Sequence, residues 1–174
     1  YMLIVHCKKI YESFKFLVSI WNNINTITKN GSLLHEIIYR ELPVDAILLL
    51  LNNNININIC NNKGESSLLF LCKNTPCLSK NYIKHVCIIL LQYNIDVNIQ
   101  DNDGNTALLK ICILKEFHKN KHPNNKRLLF NLQYLKKQLL KHKLTNIYIT
   151  NKEGKNVLDY YTHNHLIKLG LNIN

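Results

Sequence analysis

Apolar residues in this chain arrive in short bursts at helical spacing, and polar turns carrying glycine separate the bursts. The stretch RLLFNLQYLKKQLLKH puts Leu128, Leu132, Leu135 and Leu139 along one side of a helix. The same order recurs unit by unit. A polar turn with glycine (Asn30 or Gly31, Gly64, Gly104, Gly154) leads into a short apolar helix. A loop follows, and a second helix closes on a leucine pair: Leu50–Leu51, Leu90–Leu91 or Leu139–Leu140. Beyond the first two pairs stand Asn54 and Asn94, each followed by Ile-x-(Ile/Val)-Asn. Asparagine tolerates positive φ, so these positions predict left-handed residues that end the helices. Ser66 and Thr106 predict N-caps that satisfy free N–H groups.

The units are copies of one another. Ile57–Cys72 reads INICNNKGESSLLFLC; moved forward by 40 positions it falls on VNIQDNDGNTALLKIC, Val97–Cys112. Asn58/Asn98, Ile59/Ile99, Asn62/Asn102, Gly64/Gly104, Leu68/Leu108, Leu69/Leu109 and Cys72/Cys112 are identical. A third copy, IYITNKEGKNVL, starts at Ile147, and a weaker one, NTITKNGSLLHEII, spans Asn25–Ile38. A period of roughly 20–50 residues marks a stack of repeats. The expected fold is all-α: a solenoid of helix–turn–helix units with polar tips, about four to five including degenerate ends. The expected divisions are 1–25 (a degenerate N-terminal repeat or cap), 26–60, 61–100 with a lengthened inter-helix loop, 101–150 with a basic insert and a long second helix, and 151–174 (a truncated repeat or cap). The extra residues fall near KNTPCLSK, Lys73–Lys80, and KEFHKNKHPNNK, Lys115–Lys126. Their Pro, Asn and Lys content predicts exposed loops.

These residues resemble the ankyrin repeat, in which D-x-x-G-x-T-P-L-H-x-A opens a helix pair that ends L-L-x-x-G-A-x-V-N. Here Asp101–Cys112 reads DNDGNTALLKIC, Leu90–Asn98 reads LLQYNIDVN, Ser32–His35 reads SLLH, and Gly170–Asn174 reads GLNIN. The likeness covers most of the chain from about Ile24 onward. The T-P-L-H proline is absent from every copy, only His35 keeps the histidine, and the helix-end glycines are mostly asparagine. Irregular arrays rich in Asn and Ile are similar to those of poxviruses and other large DNA viruses, and also to those of protists and intracellular bacteria.

The resemblance implies a non-enzymatic scaffold that binds a partner protein on turn tips and first helices, as in a viral or symbiont factor acting on a host. The positions it implies are Thr28, Lys29, Tyr39 and Arg40; Asn62, Lys63, Glu65 and Lys73; Asn102, Asp103, Asn105 and Ile113; and Lys152, Glu153 and Lys155. Tyr39–Arg40 is the pair with hot-spot residue types. The chain can equally be an ankyrin segment of a longer protein whose activity lies elsewhere.

Charge adds a second candidate. The net charge is +11, and the segment 115–143 carries nine Lys and Arg against one Glu. Lys126, Arg127, Lys136, Lys137, Lys141 and Lys143 would serve nucleic acid or an anionic surface. The competing reading is the solvated side of an amphipathic helix, with Lys136 and Lys137 alternating with the leucines.

Other chemistry finds little support. No G-x-S-x-G, G-x-G-x-x-G or G-x-x-x-x-G-K-[ST] occurs, so neither a catalytic site nor a cofactor is expected. Asp101, Asp103 and Asn105 alternate about Gly104 as in a calcium loop, but the EF-hand register puts Ile99 first and Lys110 twelfth. Cys72, Cys77, His85 and Cys87 offer four zinc-type ligands. Against zinc, Cys72 repeats as Cys112 in a unit without partner ligands, and Cys87 falls on an apolar helix face. The six cysteines form no evident disulfide framework, which favours a reducing compartment, cytoplasmic or nuclear, including the inside of a host cell. No apolar run reaches the ~18 residues of a membrane span. The expected state is monomeric.

Overall fold

A computed structural model describes residues 23–28, 31–122 and 124–161 of the chain. Among them are six α-helices: α1 (Leu33–Tyr39), α2 (Val44–Asn52), α3 (Ser67–Lys73), α4 (Lys80–Gln92), α5 (Ala107–Lys121) and α6 (Lys126–Lys141). A 3-10 helix, Val157–Tyr160, follows, and no strand occurs among the described residues. Most of the cap expected over 1–25, the end of the truncated repeat expected over 151–174 and GLNIN lie outside this range.

The helices pack as three pairs in a row: α1 with α2, α3 with α4, α5 with α6. First helices stack on first helices, α1 on α3 on α5 on the 3-10 helix, and second helices on second helices, α2 on α4 on α6. The core lies between the two rows. It is built from Leu34, Ile37, Ile47 and Leu50, then Leu68, Leu71, Ile83 and Leu90, then Leu108, Ile111, Leu132 and Leu139, all buried. Removing one such side chain from water contributes roughly 1.5–3 kcal/mol, and each face is covered only because a neighbouring pair covers it.

Caps and turns follow the sequence pattern. Leu69 N–H donates to Ser66 Oγ at 3.4 Å and Leu109 N–H to Thr106 Oγ1 at 3.3 Å. Asn54 (φ 59°) and Asn94 (φ 52°) are left-handed, as expected of residues just past a helix. The first glycine turn is set by Gly31, at φ 114°.

The basic insert departs from expectation. Lys115–Lys121, expected within a loop, continues α5, which runs 15 residues against seven for α3. Lysine and glutamate are good helix formers, and the helix stops two residues before Pro123, where helical geometry becomes unfavourable. The loop expected over Lys73–Lys80 is present as turns from Asn74 to Leu78. α6 is long, at 16 residues.

Candidate binding surface

The turn tips are built the same way three times. Asn61, Asp101 and Asn151 each accept two backbone N–H groups on one Oδ1: from Lys63 and Glu65, from Asp103 and Asn105, and from Glu153 and Lys155. Backbone bonds close each tip, such as Gly104 N–H to Asp101 O at 2.8 Å. The acidic turn therefore uses Asp101 internally. Asp101 also pairs with Lys110 (3.1 Å), so its charge is met from within its own unit. Burial alone would raise its carboxyl; the Asn105 N–H and the Lys110 ammonium outweigh this and hold it below its ordinary value.

The tips dock on one another. Asn102 N–H donates to Lys63 O at 2.9 Å, and Lys152 N–H to Asp103 O at 2.9 Å. A Cβ on Gly64 would meet Asn102 N at 2.9 Å, so the glycine is required for this approach. His35 ties the first pair to the second: its Nε2 donates to Glu65 O at 2.8 Å. Its Nδ1 faces Ser32 Oγ at 2.9 Å and accepts from Ser32 N–H at 3.2 Å. Burial lowers its pKa, although the Glu65 carbonyl pulls the other way.

Between tips and first helices lies a groove of about 520 Å³. It brings together Tyr39, Asn62, Lys63, Glu65 and Lys73 with His35 and Phe70. Tyr39 is 65 % exposed. Phe70 meets the His35 ring edge-on at 5.2 Å between centroids. Arg40 lies beside the groove and pairs with Glu36, which lines it.

Three of the positions expected on the surface, Glu65, Asn105 and Ile113, are turned inward. Glu65 is buried, paired with Lys73 and bonded by Asn61 Nδ2 at 2.9 Å, because a carboxylate there organises the tip from within. Asn105 is buried, its Nδ2 on Asp101 and its Oδ1 accepting from Asn151 Nδ2 at 3.0 Å. Ile113 packs against the core. Asn102, Asp103, Lys152, Glu153 and Lys155 are exposed along the next tips, and Thr28 bridges Gly31. Lys29 lies outside the described residues.

The basic set divides as well. Lys126, Arg127, Lys137, Lys141 and Lys143 are exposed. Lys136 is not: it is 1 % exposed, with Leu132 and Leu139 on the inner side of α6. Its Nζ lies 4.9 Å from the Tyr161 ring centroid and has no hydrogen-bond partner among the described residues. Burial, then the nearby Lys115 charge, lowers its pKa. Helical phase explains this: position 136 follows Leu132 by one turn, and the leucines on both sides commit it to the core.

Residues that the sequence reading passed over complete the outer side of the second-helix row. Lys80 Nζ sits 4.1 Å from the Phe130 centroid and Lys84 Nζ 5.5 Å from that of Tyr134. The signal was present, since both pairs are spaced i, i+4 on adjacent second helices, but it crosses two units. A second hollow, of about 450 Å³, is lined by Cys112, Lys115, Glu116 and Tyr161. As for zinc, Cys72 and Cys87 are in the core while Cys77 and His85 face solvent, so the four do not converge. No helix of the described residues is long and apolar enough to cross a membrane. Compared with known proteins, the chain matches no protein-family model and none of the curated proteins.

Proposed function

We propose that this chain is an ankyrin-type repeat array acting as a non-enzymatic scaffold, and that it binds a partner protein along its tips and first helices. The observation that carries the reading is the groove of about 520 Å³ in which Tyr39, Asn62, Lys63 and Lys73 meet. The paired helices, stacked row on row, and the docked glycine tips support a repeat array with a continuous recognition face. Within the groove an exposed tyrosine stands beside two cationic side chains over a rigid, internally bonded floor. Aromatic and basic anchors on a preorganised surface are what protein interfaces use.

The test is affinity capture from nuclease-treated eukaryotic lysate at low and moderate salt, with Tyr39→Ala/Arg40→Ala and Ile88→Ala as paired variants. Ile88 is exposed on α4, a second helix, and does not line the groove. A partner that survives nuclease and moderate salt, is lost with the Tyr39/Arg40 variant and is kept by Ile88→Ala upholds the reading. A partner kept by the Tyr39/Arg40 variant, or recovery that vanishes with nuclease, overturns it.

A further inference from the structure

The second-helix row carries a surface that the scaffold reading does not use. Neither α4 (KNYIKHVCIILLQ) nor α6 (KRLLFNLQYLKKQLLK) contains an aspartate or glutamate. The two helices pack side by side. On α6, Lys126, Phe130, Tyr134, Lys137 and Lys141 follow one another at helical spacing along one side. On α4, Lys80 and Lys84 face that stripe and place their ammonium groups over its rings, at 4.1 Å and 5.5 Å. Arg127 is held at its end, with Nη2 on Pro76 O at 3.4 Å. Two carboxylates come from the preceding helix pair. Glu41 is occupied in accepting the Ser79 N–H at 2.8 Å, and Asp45 belongs to α2.

A mixed-charge protein partner would need carboxylates as well as cations opposite it, and among the described residues α4 and α6 offer cations alone. A membrane surface would need a free apolar stripe, but the leucines of α6 (Leu128, Leu132, Leu135, Leu139) are committed to the core. What remains is a row of cations interleaved with aromatic rings, one of which, Phe130, is 48 % exposed. Cations that track a phosphate backbone, with rings on which bases stack, are the recurring means of holding an unpaired strand. A duplex hides its base faces and would leave the rings idle. We propose that the α4–α6 face binds single-stranded nucleic acid, with Lys80, Lys84, Lys137 and Lys141 on the phosphates and Phe130 stacking a base.

The experiment is fluorescence anisotropy of the full chain with a labelled oligothymidylate across a salt series. The same measurement is made with a duplex of equal length, polyglutamate and phosphatidylserine vesicles. The expected result is preferential binding of the single strand, with log affinity falling by about 0.7 per phosphate for each unit of log salt. Phe130→Ala and Phe130→Leu should both weaken binding about tenfold, since each removes the stacking ring and the second keeps apolar bulk. Lys137→Gln/Lys141→Gln should lower the salt slope, and Lys119→Gln, exposed on α5, should change neither affinity nor slope. No binding at low salt, equal binding of duplex, polyglutamate or vesicles, or an unchanged Phe130→Leu variant would each overturn the proposal. Circular-dichroism melts matched to wild type establish that the variants are folded.

Discussion

Lys136 shows how far one side chain can depart from the role its type suggests. Lysines on a leucine-rich helix are expected in solvent, yet this one is buried against Tyr161 without a hydrogen-bond partner among the described residues. A buried cation lacking a counter-charge costs stability that an apolar group of similar shape would not. Lys136→Met should therefore raise stability by about 1–2 kcal/mol, read as a higher urea midpoint with unchanged slope; a lower midpoint would mean that the contact with the Tyr161 ring outweighs desolvation. His35 gives the complementary case. Its Nδ1 accepts from Ser32 while its Nε2 donates to Glu65, so the folded state requires the neutral ring. Its folded pKa is lowered, so the unfolded chain protonates first as pH falls. The stability it contributes is whole above its ordinary value of about 6.5 and is lost as pH falls through the folded value. Urea midpoints measured from pH 7.5 to 5 should drop more for wild type than for His35→Gln; parallel curves would assign the acid sensitivity to other groups.

At the scale of elements, the sequence was legible wherever a local rule decides the backbone. The caps at Ser66 and Thr106, the left-handed Asn54 and Asn94 and the pairing of short apolar helices all follow from residue types at fixed offsets. The length of α5 was not legible, because Lys115–Lys121 satisfies helix propensity and loop polarity alike and only the position of Pro123 favours the former. The inward turn of Glu65 and Asn105 was also hidden, since it depends on bonds to the adjoining tip rather than on their own helix. The glycine turns sort by the same logic of neighbours. Gly104 and Gly154 share a positive φ, 82° and 75°, but a Cβ on Gly104 would meet Lys152 N at 2.9 Å and Asn151 Cα at 3.0 Å. A Cβ on Gly154 meets nothing within 4 Å among the described residues. Gly154→Ala should thus cost only the left-handed strain of about 1 kcal/mol. Gly104→Ala should cost at least about 1 kcal/mol more, because backbone atoms on both sides must shift. Equal urea midpoints for the two variants would deny that the tips are held by docking.

At the scale of the described molecule, two polar seams join successive helix pairs in addition to the shared core. One is the line of docked tips; the other is a chain of asparagines below the second helices. Asn25 Oδ1 accepts from Asn56 N–H at 2.6 Å, Asn58 Oδ1 from Asp96 N–H at 2.8 Å and Asn98 Oδ1 from Asn146 N–H at 2.9 Å. Asn98 also donates from Nδ2 to Leu144 O at 2.7 Å, so one side chain bonds twice to the segment that leads to the last tip. The following position of the series is Tyr148, whose backbone N–H bonds within its own turn, to Asn146 Oδ1. In a row where each pair packs chiefly on its neighbours, stability is a sum of units and seams, and a cut seam loosens one side of the cut. Asn98→Ala removes both bonds while leaving the tip contact between Asp103 and Lys152 in place. Hydrogen exchange should then accelerate for the amides of Asn146, Tyr148 and Val157 by roughly tenfold, the loss of about 1–2 kcal/mol for two exposed bonds. The amides of α1 to α3 should be unchanged. Uniform acceleration throughout the chain would show instead that it unfolds as one cooperative block, and that the seams do not set the order in which its pairs open.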